Sequence, residues 1–148
     1  MEDWETKVFE FAQTSHGQQV DDSGKSYFEA HILQVVALIK QVTSDKDIIS
    51  AAYMHDLIED TQVTFQEIEK NFGVRVANLV LEMTHQGEKD SYGRYFPNLK
   101  SRSAILLKFC DRCSNISRLS CWPEERQKQY LKRSRFWKTG EDRPNHNI

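Results

Sequence analysis

The sequence predicts a single all-α domain. Apolar residues recur at helical spacing through almost the whole chain. Capping residues and glycines stand where successive stripes begin and end, and no stretch keeps the strict alternation of a half-buried strand. A length of 148 residues suits one domain with one core.

Trp4, Val8, Phe11 and Ala12 form the first helical stripe. The next stretch, "SHGQQVDDSGKS", holds two glycines and two adjacent aspartates and reads as a loop. Phe28 to Gln41 is a strongly apolar helix whose Val35, Val36, Leu38 and Ile39 belong to the core. Ser44 and Asp45 can cap the next helix, which runs through Ile48, Ile49 and Ala52 to about Ile58. Thr64 and Glu67 have capping-box spacing and open a short helix ending near Phe72 and Gly73. "VRVANLVLEMT" continues as helix, and "HQGEKDSYGRYFPN" is a polar loop. Ser103 to Leu119 is helical, and Pro123 suits the first turn of a last helix reaching about Trp137. The final "TGEDRPNHNI" has no apolar anchor. The domain is therefore set at residues 1–138, with a flexible tail at 139–148.

Composition narrows the function classes. A formal net charge of -2 gives no global field toward nucleic acid or an anionic membrane. There is no run of ~18 apolar residues to span a bilayer, and the acidic, amphipathic "MEDWETKVFEF" is wrong for a signal peptide. Three cysteines, an odd number, point to a reducing cytoplasm. Cys110 and Cys113 form a C-x-x-C inside a helix with no second pair, and read as core or near-core thiols rather than a zinc site.

The chemistry concentrates in "YMHDLIEDTQ", where His55, Asp56, Glu59 and Asp60 follow an apolar run. At a helix end, the adjacent His55 and Asp56 can converge on one point. Imidazole with carboxylate suits a divalent ion such as Mn²⁺, Fe²⁺ or Zn²⁺. His31 in "FEAHILQVVALI" and Asp111 in "AILLKFCDRCSNI" are two more ligand types set in apolar helices. Alone, each has a plain explanation: a hydrogen-bonded core histidine, a surface aspartate. Together they place four ligand types on three helices. Burying unpaired carboxylates is costly, so a cation shared between the helices is the simplest account.

The order His … His-Asp … Asp resembles that of the HD superfamily of metal-dependent phosphohydrolases. "HDLIEDT" is similar to the HDxxEDT of RelA/SpoT-type (p)ppGpp hydrolases and small alarmone hydrolases. "TFQEIEKNFGVRVANLVLEMT" resembles their T-x-x-E-I-x-x-x-F-G-x-x-V-A-x-L-V-x-x-V-T, and "ILLKFCDRCSNISRL" their ILIKLADRLHNLRTL. The likeness covers roughly residues 10 to 122. It implies an HD-type helical bundle in which His31, His55, Asp56 and Asp111 hold Mn²⁺ or another divalent transition metal. Glu59 and Asp60 would act on the attacking water. The implied reaction is metal-dependent removal of the 3′-diphosphate of (p)ppGpp, giving GDP or GTP and pyrophosphate.

The resemblance also implies a small-molecule nucleotide as partner and places Asn115 in its pocket, near the ribose. Lys108 and Arg112 flank Asp111 and either meet phosphate or pair with surface carboxylates. Arg94 and Tyr95, in "YGRYF", either hold phosphate and base or anchor a loop. Ser23 belongs to the opening loop, and His16 to packing or the pocket edge. A homo-oligomer is compatible with the sequence, and the chain is too short for a separate synthetase domain.

Two features depart from the family. Asp21, Asp22 and Ser23 stand where it carries Arg-Lys-Ser, so two anions replace a basic pair. That leaves two alternatives: an HD phosphohydrolase for another nucleotide phosphate, or a non-catalytic nucleotide-binding or antitoxin-like protein. Intact Glu59 and Asp60 argue against the latter. On charge alone, restoring a basic pair at positions 21 and 22 should lower KM for a highly phosphorylated nucleotide. The spacing from Tyr27 to His31 is also one residue longer than in the family, which assigns the aromatic position to Phe28.

Overall fold

The centre of the fold is a helix that is apolar nearly all round. The computed structural model describes residues 1–85 and 99–134. Eight α-helices occur among them, α1 (Asp3–His16), α2 (Leu33–Lys40), α3 (Lys46–Met54), α4 (Leu57–Asp60), α5 (Phe65–Phe72), α6 (Val74–Met83), α7 (Arg102–Ser117) and α8 (Glu124–Arg133). Every residue of α3 from Ile48 to Met54 is buried. A helix with no polar face needs cover on all sides, and α1, α2, α6 and α7 supply it. Val8, Ile32, Val35, Ile39, Val80 and Leu107 meet α3 residues in one continuous core.

Side-chain caps fix where three of the helices start. The Asp45 side chain accepts from the backbone N–H of Asp47 at 2.9 Å and of Ile48 at 3.4 Å, satisfying donors that the first turn of α3 leaves open. The Thr64 hydroxyl accepts from Glu67 N at 3.2 Å to open α5. The Ser101 hydroxyl accepts from Ala104 N at 3.1 Å to open α7. Between α5 and α6, Gly73 takes φ 99°, a conformation that favours glycine and turns the chain back on itself.

The predicted helices are present, with two interruptions, and the last helix ends at Arg133, short of the expected Trp137. The expected helix from Phe28 begins as a π-helical turn, Phe28–Ile32, before α2. The expected helix through Ile58 stops at Met54; Asp56 sits at φ −103°, ψ 0°, and α4 restarts at Leu57. Each interruption falls on a residue singled out for chemistry. The opening loop is closed by a lone antiparallel bridge between Val20 and Ser26. Among the described residues, no helix is long and apolar enough to cross a membrane. Arg94, Tyr95 and the tail from residue 139 lie outside the described residues.

Asp45→Ala removes the cap of the central helix. It is expected to lower stability by about 0.5–2 kcal/mol, the range for losing such a cap. Urea unfolding should show a lower midpoint with an unchanged slope. An unchanged midpoint would mean that Asp45 does not set the start of α3.

Candidate functional site

The two interruptions and α7 bring four side chains to one point. His31 comes from the π-turn, His55 and Asp56 from the break between α3 and α4, and Asp111 from α7. A continuous helix would turn adjacent side chains about 100° apart; the break lets both His55 and Asp56 face inward. Their ligand atoms and those of His31 and Asp111 all lie within 4.8 Å of one another. His31 Nε2 is 3.3 Å from His55 Nε2, 3.0 Å from Asp111 Oδ1 and 3.6 Å from Asp56 Oδ2. His55 Nε2 is 3.3 Å from both carboxylates.

Hydrogen bonds behind the rings fix which nitrogen faces the centre. His55 Nδ1 lies 2.7 Å from the Ala52 carbonyl, which only accepts, so Nδ1 carries the hydrogen. The Ser114 hydroxyl donates to Gln34 Oε1 at 2.7 Å, and therefore accepts from His31 Nδ1 at 3.0 Å. Both Nε2 lone pairs then point at each other and at two carboxylates, an arrangement that only positive charge relieves. Atoms ligating a cation at ~2.0–2.2 Å stand about 3.0–3.6 Å apart, depending on coordination number. The separations from the two imidazole nitrogens fall in that range, so the residues fit the divalent metal that the family implies.

The electrostatics agree. Burial lowers the tendency of His31 and His55 to hold a proton, but Asp56 and Asp111 outweigh it and raise both pKa values. Burial pushes Asp56 and Asp111 the other way, yet the imidazoles hold both carboxyls well below the usual range. The two carboxylates thus favour a proton, as they would a metal, on the imidazoles.

Tyr27 is the aromatic residue of the site. Its hydroxyl donates to Asp56 Oδ2 at 2.5 Å and its ring lies 5.2 Å from that of His31. Phe28 instead packs edge-on against Phe9 at 5.1 Å in the core. Assigning the position to Phe28 was therefore wrong: a π-turn takes up one extra residue within a helix, and the longer spacing is absorbed there.

Glu59 and Asp60 project from α4, one turn beyond His55 and Asp56. Loss of hydration and the charges of Asp56 and Glu59 push the Asp60 carboxyl up to about 6. Glu59 Oε1 lies 2.8 Å from His85 Nδ1. Lys108 is buried, with Nζ 3.4 Å from His85 Nε2 and 3.9 Å from Asp111 Oδ2. Arg112 lies 3.3 Å from Asp111 Oδ2 and donates to the Ser134 carbonyl at 2.7 Å. Both cations thus face the buried Asp111 rather than surface carboxylates.

Asn115 lines a cavity of about 290 Å³ that runs from Tyr27 to Trp122, with Arg118, Asp21 and Asp22 in its wall. His16 lines a second cavity, beside Asp60. Asp21 is not an unpaired anion. It accepts from the Ser23 hydroxyl at 2.7 Å and from Ser23 N and Lys25 N, each at 2.9 Å, and pairs with Arg118 at 3.0 Å. These donors, the Ser23 hydroxyl foremost, push its carboxyl down to about 2 against the opposing effect of burial. Ser23 is exposed, and its hydroxyl is engaged there. Asp22 accepts from Trp122 Nε1 at 2.8 Å and pairs with Arg126 at 3.0 Å. The expectation that a basic pair here would lower KM treated both carboxylates as unpaired; the structure supplies each with an arginine.

Sequence reading missed Tyr27, His85 and Arg118. The only local signal was the long Tyr27–His31 spacing; the partners of the other two come from distant segments.

Residues 8–135 match the family described as HD domain. The guanosine-3′,5′-bis(diphosphate) 3′-pyrophosphohydrolase of Aquifex aeolicus (strain VF5) is 35% identical over 134 residues, covering 85% of this chain and 19% of that protein. The protein of that name from Spiroplasma citri is 31% identical over 132 residues, covering 82% of this chain and 18% of its own. The chain therefore spans under a fifth of the length of these curated relatives. A solved structure, described as a metazoan ortholog of SpoT that hydrolyzes ppGpp and plays a role in starvation responses, has a TM-score of 0.76. It is 26% identical, and the match covers 90% of this chain and 83% of that one. Fold, motif order and the extent of the family match agree, and the chain belongs to the HD domain family.

Proposed function

We propose that this chain is a divalent-metal-dependent hydrolase that removes the 3′-diphosphate of (p)ppGpp, giving GDP or GTP and pyrophosphate. The observation that carries the reading is the convergence of two inward-facing imidazole nitrogens and two carboxylates beside the Glu59–Asp60 pair. The names of the relatives and the SpoT ortholog of similar extent support it. The odd number of cysteines favours the cytoplasm as its compartment.

His31, His55, Asp56 and Asp111 would hold Mn²⁺ or another divalent transition metal, which polarises a phosphoryl oxygen and makes a bound water more acidic. The chain's own groups do the rest. Tyr27 steadies Asp56 through its hydroxyl. Lys108 and Arg112 flank Asp111 and set positive charge beside the reacting phosphate. Glu59, with Asp60, orients the attacking water and takes its proton. Attack on the proximal phosphorus breaks its bond to the ribose 3′-oxygen; that oxygen takes up the proton removed from the water and becomes the 3′-hydroxyl, and pyrophosphate is released. Asn115 and the cavity reaching Trp122 would take the nucleoside.

A second reading, another nucleotide phosphate as substrate, is favoured by the loop: it carries Asp21 and Asp22, and the cations stand opposite, on Arg118 and Arg126. A panel of ppGpp, pppGpp and simple 3′- and 5′-nucleotides with Mn²⁺, scored for phosphate and pyrophosphate, separates the two. Pyrophosphate from ppGpp is expected; turnover of simple nucleotides alone would overturn the substrate.

Metal binding competes with the protons that the raised pKa values of His31 and His55 favour. Calorimetry of Mn²⁺ binding near neutral pH should therefore show proton release, read as an enthalpy that changes with the buffer. His55→Ala and Asp111→Ala should lose the ion while staying helical. Stoichiometric Mn²⁺ retention by both would sink the ligand assignment.

Glu59→Gln is nearly isosteric and removes the anionic acceptor. It should keep the metal and lose at least ~10²-fold in kcat, the lower end for a general acid–base group. Wild-type turnover in that variant would make Glu59 a bystander.

Asp21→Arg sets guanidinium against guanidinium at Arg118. KM for ppGpp should rise, and adding Arg118→Asp should bring it back toward wild type. A lower KM in the single variant would mean that loop charge, not the pairing, governs affinity.

A further inference from the structure

His85 takes part in neither the ligand set nor the motif, yet it joins two groups that do. Its Nδ1 meets Glu59 Oε1 at 2.8 Å and its Nε2 meets Lys108 Nζ at 3.4 Å. Glu59 stands on the one-turn helix α4, with its side chain about a third exposed at 30%. A glutamate in that setting has several rotamers open to it, and a base displaced by ~1 Å loses on the order of 10² in rate. The imidazole supplies what α4 lacks. It follows the C-terminal end of α6, while Lys108 is anchored in α7 with its stem buried. A lysine ammonium only donates. Nε2 must therefore accept from Lys108, Nδ1 must carry the hydrogen, and Glu59 must be the acceptor.

We propose that His85 is a positioning residue for Glu59: Lys108 fixes its ring and tautomer, and its Nδ1–H pins Oε1 so that the other carboxylate oxygen is presented to the attacking water. This rests on the hydrolytic role given to Glu59. The same network explains how Lys108 is accommodated, since a buried cation needs acceptors and His85 is one beside Asp111.

The test compares two substitutions in the full chain with metal bound. His85→Leu removes the donor and is expected to lower kcat for ppGpp by about 10- to 100-fold, with KM and Mn²⁺ stoichiometry near wild type. His85→Asn can present an amide N–H near the position of Nδ1 and should recover most of the loss. In a Glu59→Gln background, His85→Leu should cost little more, because the two act as one unit. A purely structural role would instead add its cost in both backgrounds and would not be rescued by asparagine. A readout independent of turnover is the ¹⁵N spectrum of the imidazole in the Mg²⁺-loaded protein. The neutral ring should carry its proton on Nδ1, and this preference should weaken in Lys108→Met. A proton on Nε2 in the wild type, or wild-type kcat in His85→Leu, would overturn the proposal. If the chain proves inert toward ppGpp, the substrate reading fails, and the tautomer still decides whether His85 is fixed between Lys108 and Glu59.

Discussion

Everything around the site follows from one demand: two imidazole nitrogens and two carboxylate oxygens, buried together, require positive charge between them. His31 and His55 are almost fully buried, and Asp111 is 5% exposed. Water reaches only the edge of the set, at Asp56, and carboxylates left unpaired there would cost several kcal/mol each. Outer bonds from Ser114 and the Ala52 carbonyl orient both rings so that neither Nε2 can relieve the other. The cluster therefore holds protons or a metal, and the same constraint couples ion binding to pH.

The backbone bends to meet this demand at two places. The central helix α3 supplies His55 from its last turn, and the break at Asp56 brings the neighbouring carboxylate to the same point. The π-turn at Phe28–Ile32 lets Tyr27 reach Asp56 while Phe28 enters the core. The irregularities sit where side-chain direction, rather than burial, is decisive, as π-turns often do.

Farther from the cluster, the cavity beside Asn115 shows a redistribution of charge. The opening loop has acidic residues, and arginines stand opposite on the chain leaving α7 and on α8. Each arginine offsets one aspartate, so this wall is near neutral where a basic pair would make it positive, and the cations stand on the opposite wall. Arg118 also donates to Asn115 Oδ1 at 2.9 Å, so the guanidinium, the asparagine and the loop form one hydrogen-bonded unit. The charge lining this cavity is thereby set by pairing between segments and not by the loop alone.

The sequence by itself determined the all-α class, the order of helices and the four residues of the cluster. These are legible because their causes are local: apolar period, capping residues at Asp45 and Thr64, and charged side chains set in apolar helices. The ordered motif then singled out Glu59 and Asp60. Tertiary structure alone decided that Tyr27 rather than Phe28 faces Asp56, that His85 links Glu59 to Lys108, and that Asp21 and Asp22 are paired. The reason is separation along the chain. Asp21 meets Arg118 across 97 residues, Asp22 meets Arg126 across 104, and His85 meets Lys108 across 23. No periodicity in a single strand of sequence encodes such meetings; they exist only once the helices have packed around α3.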